Sequence, residues 1–252
     1  MTMRGASWKP HRFDSGFGAI VDRTRGALLF DTGYAPRFVA ATTHFPERAY
    51  ALLTPVHVTP AETAAAQLAH LGIAPGDVRD VVVSHFHADH IAGLRDFPRA
   101  RVWTSRAAWE SVRGRSGIAA LRRGHLAALL PDDVEARLAF VDDRPAVSAP
   151  SALAAFGDAR DLFGDGSLLA LSLPGHAAGH IGIVLPEAPG GPWFFIGDAA
   201  WSLAAIARDR PPPRLTTALL GRTGLYRATL RKLHRLALAA PELRIVPAHD
   251  VP

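Results

Sequence analysis

Val81-Val82-Val83-Ser84-His85-Phe86-His87-Ala88-Asp89-His90 runs a β-branched apolar stretch straight into four metal-capable side chains. The three valines argue for a buried strand that ends near Ser84. In extended backbone, residues two apart point to the same side, so His85 and His87 can reach one metal ion while Phe86 turns away into apolar packing. Asp89 and His90 are adjacent and cannot keep that alternation. If the chain turns after His87, they face a second point a few ångströms away. Imidazole and carboxylate suit zinc, iron, manganese or cobalt, and the chain has no Cys to add a thiolate.

Four ligands do not complete two metal sites, and the rest of the chain offers more where apolar runs stop. Leu168 to Leu173 reads as a strand that leads into Pro174-Gly175-His176. Trp193 to Ile196 reads as another and leads into Gly197-Asp198, while Arg244-Ile245-Val246 leads into Pro247-Ala248-His249. Placing chemistry at strand ends is the habit of parallel and mixed sheets.

The order H-x-H-x-D-H, P-G-H-x-x-G-H, G-D and P-x-H resembles the metallo-β-lactamase-fold hydrolases. The likeness runs from the N-terminal strands to within three residues of the end. It implies an α/β fold, an αββα sandwich of two mixed β-sheets with outer helices, forming one hydrolase domain over residues 1–252 with the site at one edge between the sheets. It also implies one metal held by His85, His87 and His176, a second held by Asp89, His90 and His249, and Asp198 bridging both. His180 matches the second His of the superfamily motif, which is not a ligand there, and reads with Asp31 as a residue that orients ligands or loops through hydrogen bonds.

Departures narrow the branch. The best-known dinuclear β-lactamases use Cys where this chain has Asp198. Glyoxalase II carries a helical segment after its last ligand, whereas here only Asp250-Val251-Pro252 follow His249. The nearer resemblance is to N-acyl-homoserine-lactone lactonases and related esterases, which also lead a strand into Asp-Thr-Gly, as Leu28-Leu29-Phe30-Asp31-Thr32-Gly33 does. In those lactonases a Tyr three residues after the bridging Asp helps to polarise the substrate carbonyl; here that position is Trp201. Indole offers a donor N–H of different reach and no phenol.

The resemblance therefore implies a dinuclear metal-dependent hydrolase acting on a lactone or ester. Two divalent ions, zinc by first expectation, would lie about 3.5–4 Å apart and activate a shared hydroxide for attack on the carbonyl. Asp89 is placed to orient the nucleophile and return a proton to the leaving alkoxide. Phe86 and Trp201 are expected near an apolar substrate wall. The alternatives are a phosphodiester or phosphotriester hydrolase, a nuclease of the same fold, and a ligand-binding sensor with little turnover.

A chain of 252 residues, 48% apolar, is long enough for one large domain with a buried core. Met1 to Pro10 lacks the apolar centre of a signal peptide, and no run approaches the roughly 18 apolar residues of a membrane span. Zero Cys excludes a disulfide framework. The expectation is a cytoplasmic enzyme with a small-molecule ester or lactone as partner, no membrane association, and homodimer assembly left open. The net charge of +5 rests on arginine and raises nucleic acid as a partner. Arg227, Arg231 and Arg235 recur every four residues opposite Leu225, Leu233 and Leu236, however, which is the pattern of a solvated helix face.

Elsewhere, Thr59-Pro60-Ala61-Glu62 predicts a capped helix running to about Leu71 and stopping at Gly72. Ser105 is expected to cap a helix through Trp109. The apolar spacing from Ile118 to Leu130 predicts a further helix, and Ala146 to Ala155 and Pro211-Pro212-Pro213 read as loops. His57, His70, His125 and His234 read as structural or surface residues.

Overall fold

The computed structural model describes residues 13–22, 24–213 and 221–250. Their contacts fall into two compact units. One comprises residues 15–22, 24–104 and 109–139; the other comprises Ser105–Ala108 and residues 140–213 and 221–250, with residues 13 and 14.

The first unit is built on a mixed five-stranded sheet in the order β1 (Gly18–Asp22), β2 (Gly26–Phe30), β3 (Val78–Val82), β4 (Arg101–Thr104), β5 (Leu138–Phe140). β1 and β2 pair antiparallel, whereas β2 with β3 and β3 with β4 are parallel. Interior parallel strands are covered on both faces, which is why β2 and the Val81–Val82 end of β3 read as apolar runs. Leu29, Val81 and Val82 are buried. The parallel register sets Leu29 against Val81 and Phe30 against Val82, so both strands leave the sheet at the same end. Asp31 therefore emerges beside Ser84, and the Asp31 N–H donates to the Val82 carbonyl at 2.8 Å.

The second unit holds a mixed six-stranded sheet ordered β11 (Arg244–Pro247), β10 (Trp193–Gly197), β9 (Ile181–Leu185), β8 (Leu169–Ser172), β7 (Ala159–Asp161), β6 (Ala146–Val147). Only β10 and β11 run parallel. Gly197 opposes Pro247, so Asp198 and His249 leave from neighbouring strand ends. β8 and β9 form a hairpin whose connection carries Pro174-Gly175-His176 and His180. The helix Thr223–Ala239 packs Tyr226, Leu230, Leu233 and Leu236 into a core with Leu171, Phe194 and Ile196. Each such aliphatic side chain contributes roughly 1.5–3 kcal/mol by leaving water.

That helix also clamps a ligand loop. The Arg222 N–H donates to the Gly175 carbonyl at 2.7 Å, and the Thr229 hydroxyl donates to the Pro174 carbonyl at 2.7 Å. Gly175 has φ +135°, and a Cβ there would overlap the backbone of Tyr226, so glycine lets loop and helix touch.

Several sequence expectations change. The helix predicted from Thr59 is a 3-10 turn, Pro60–Glu62, followed by a separate helix, Ala64–His70, because Thr63 forms a second cap through the Ala66 N–H. The Ile118–Leu130 helix is two pieces, Gly117–Leu121 and a 3-10 turn Ala127–Leu129, with the chain reversed at Gly124. Ala146 to Ala155 contains β6 and the start of a 3-10 helix, Ser151–Phe156. Ser105 does cap a helix, Arg106–Val112, accepting from the Ala108 N–H at 3.0 Å. On Thr223–Ala239, Arg231 and Arg235 are exposed and Arg227 is half-buried, while Leu225 is exposed rather than on the buried face. No helix among the described residues is long and apolar enough to cross a membrane.

Candidate metal centre

In the first unit, the chain leaves β3 in extended form through His87 (φ −70°, ψ 155°) and turns at once into a short helix, Ala88–Ile91. That turn gathers three imidazoles. The His85 ring lies 4.3 Å from the His87 ring and 4.1 Å from the His90 ring, centroid to centroid. His85 and His90 are fully buried.

Their orientation is set by Asp31. Its carboxylate accepts from the Ser84 N–H at 2.7 Å, the Ser84 hydroxyl at 2.8 Å and His90 Nδ1 at 2.7 Å. A carboxylate only accepts, so His90 carries a proton on Nδ1, and in the neutral ring Nε2 is then the lone-pair nitrogen. Ser84 Oγ gives its proton to Asp31 and so accepts from His85 Nδ1 at 3.0 Å, which leaves His85 Nε2 in the same state. His90 Nε2 stands 3.3 Å from Asp89 Oδ2. In the neutral ring that is an acceptor facing an acceptor, an arrangement that a cation between them resolves.

The second unit repeats the pattern. His249 Nδ1 donates to the Asp14 backbone carbonyl at 2.8 Å, which turns Nε2 toward Asp198 Oδ1 at 3.2 Å. His176 Nε2 faces the other oxygen, Oδ2, at 3.1 Å. The Asp198 N–H donates to His180 Nε2 at 3.1 Å, so His180 fixes the backbone that carries the carboxylate. The donor set of each unit, imidazole nitrogen with carboxylate oxygen, fits a borderline divalent ion such as zinc.

The Phe86 ring is buried against Trp109 at 5.6 Å and His125 at 6.3 Å, so it packs instead of lining a surface. Trp201 is half-buried and donates its indole N–H to Asp198 Oδ2 at 2.9 Å.

A sequence profile of the metallo-beta-lactamase superfamily matches residues 12–249. The chain belongs to the metallo-β-lactamase superfamily. It is 33% identical over 191 residues to an N-acyl homoserine lactonase AttM of Azorhizobium caulinodans, a match covering 75% of this chain and 64% of the lactonase's length. It is 31% identical over 256 residues to a probable metallo-hydrolase, Mb2322c, of Mycobacterium bovis, covering 92% of this chain and 73% of that protein. Among solved structures, AiiA of B. thuringiensis with N-decanoyl-L-homoserine bound at its active site superposes with a TM-score of 0.69. That superposition covers 99% of this chain and 87% of AiiA, and at 15% identity the likeness is one of fold. The fold class, α/β with two mixed sheets and helices, is that of the superfamily.

Three residues of this superfamily member, Gly124, Tyr50 and Tyr226, went unread in the sequence, and a fourth, His125, read there as structural or surface, is structural and buried. Gly124, at φ +65°, lies against His87 so closely that a Cβ would overlap the imidazole, and its carbonyl accepts from the Ala88 N–H at 3.2 Å. His125 is buried next to it, with Nδ1 donating to the Phe86 carbonyl at 3.2 Å. Burial pushes its pKa down to about 4, with nearby His87 adding a little, so the ring is neutral. Tyr50 places its phenol near Asp89 and His90, hydrogen-bonded to Tyr34 and to the backbone of Ala88, and burial raises its pKa. Tyr226 is buried with a hydroxyl that has no partner among the described residues, and burial together with Asp198 raises its pKa. A Gly-His pair after a broken apolar helix was the one local signal available for any of these.

Proposed function

We propose that the chain is a metal-dependent hydrolase that opens a lactone or ester through two divalent ions, zinc first and iron, manganese or cobalt as alternatives. His85, His87 and His176 would hold one ion and Asp89, His90 and His249 the other, with Asp198 shared between them. On this reading both compact units belong to one hydrolase domain, as the profile match across residues 12–249 supports. The observation that carries the proposal is the repeated geometry of histidines whose Nδ1 protons are tied down and whose Nε2 atoms face carboxylates.

Two divalent ions, if held there, would supply Lewis-acid polarisation of the scissile carbonyl and a nucleophile at neutral pH. The chain's own contribution is orientation. Asp31 and Ser84 fix the tautomers of His90 and His85, and His180 fixes the backbone of Asp198. Asp89 would keep the nucleophile in line and return a proton to the leaving alkoxide. Ester or lactone as the substrate class is supported by the AttM lactonases among the relatives and by AiiA with its bound N-decanoyl-L-homoserine.

Asp198→Ala is expected to lose both metal loading and hydrolysis. The assay is metal analysis beside a panel of acyl-homoserine lactones, aryl esters, a phosphodiester and a phosphotriester. Turnover of the phosphorus substrates alone would replace this reading with a phosphohydrolase, and full activity of Asp198→Ala without bound metal would remove it.

A further inference from the structure

We infer that Trp201 is a positioning residue for Asp198, and that its indole N–H serves the metal centre instead of a substrate carbonyl. The inference rests on the metal-centre reading of Asp198. Indole nitrogen is a donor with no acceptor capacity, so it makes one directional bond, and here that bond goes to Asp198 Oδ2 at 2.9 Å. The same oxygen lies 3.1 Å from His176 Nε2. The indole ring stands edge-on to both neighbouring imidazoles, 6.1 Å and 76° from His176 and 6.3 Å and 85° from His249. One side chain thus touches the carboxylate and packs against the two histidines that face it.

The backbone holds this arrangement from both sides. Before Trp201, the Ala199 N–H donates to the Ile196 carbonyl at 3.1 Å, and Ala199 and Ala200 are buried. After it, Ser202 caps the helix Leu203–Ala207 through the Ala205 N–H at 3.1 Å. The Leu203 N–H in turn donates to Asp250, the residue following His249, at 2.7 Å. With its backbone pinned, the indole cannot turn to a substrate without breaking its bond to Asp198. A neutral donor also leaves the carboxylate its full charge for a cation, while directing one oxygen's lone pair. This separates the chain from lactonases that present a phenol at this position: the carbonyl of its substrate must be polarised by other groups.

The test uses the full chain stripped with a chelator and reloaded with zinc, its affinity read by competition with a chromophoric chelator. Trp201→Phe keeps the ring and removes the donor. It is expected to bind zinc 10–100-fold more weakly, the scale for losing a partner that orients a ligand, with circular dichroism and metal-free unfolding midpoint like wild type. Trp201→Tyr should fall short of wild-type affinity as well. Equal zinc affinity in wild type and Trp201→Phe overturns the inference and leaves the metal centre standing, whereas a wild-type chain that takes up no divalent ion removes both. If Trp201→Phe does not fold, [15N]tryptophan-labelled wild type decides. One of the five indole N–H signals should exchange slowly and shift when zinc is added, and zinc uptake with no indole shift overturns the inference.

Discussion

Asp31 sits in the left-handed region at φ +60°, a costly place for a residue with a Cβ. Its backbone N–H and three bonds to its carboxylate hold it there, and the strain is spent on aligning Ser84 and His90. His125 shows the opposite economy, an uncharged imidazole kept neutral by burial. In the unfolded chain it takes up a proton near its usual 6.5, but in the native chain only near 4. The unfolded state therefore binds more protons between those values. This contribution to stability is complete above about 6.5 and is lost as pH falls through the window toward 4. The difference amounts to on the order of 3 kcal/mol. Urea unfolding without metal should show His125→Gln with a flatter pH dependence than wild type across that window. Equal slopes would remove the assignment.

At the scale of elements, the sequence was legible wherever an apolar run met a Ser, Pro or Gly and then a ligand-type residue. β3, β8, β10 and β11 all end within a residue or two of where their runs stop. The helices were less legible, because caps compete. Thr59 and Glu62 form the expected capping box, yet Thr63 caps again and divides the helix. Apolar spacing from Ile118 to Leu130 suits a helix, but Gly124 must adopt φ +65° to lie beside His87, and a tertiary demand of that kind leaves no periodic trace. Gly124→Ala tests it. A left-handed alanine costs about 1–2 kcal/mol by itself, and the added methyl displaces the His87 ring. Unfolding should show at least that loss, and zinc affinity should drop by an order of magnitude or more; wild-type zinc affinity in a folded Gly124→Ala chain would contradict the contact.

For the whole molecule, family and fold could be read from four short motifs, since each motif is announced by its own strand. Of the partners of those ligands, Asp31 and His180 came with the resemblance, whereas Gly124 and Tyr50 could not be read, because they reach the ligands only through folding. On the proposed reading, metal binds the native state and not the unfolded chain, so chelation should lower the thermal midpoint. Occupancy at about 100 times Kd is worth roughly 2.7 kcal/mol, or about 5–10 °C for a chain of this size. Scans with and without chelator, followed by zinc addition, check the shift and its reversal. The parallel pairing of β2 with β3 carries one last consequence, for transplantation. A designer who copied only His85 to His90 into another scaffold would import four ligands with no instruction about which nitrogen bears the proton. The portable part is the two-strand cassette, in which Asp31 on the neighbouring strand supplies that instruction.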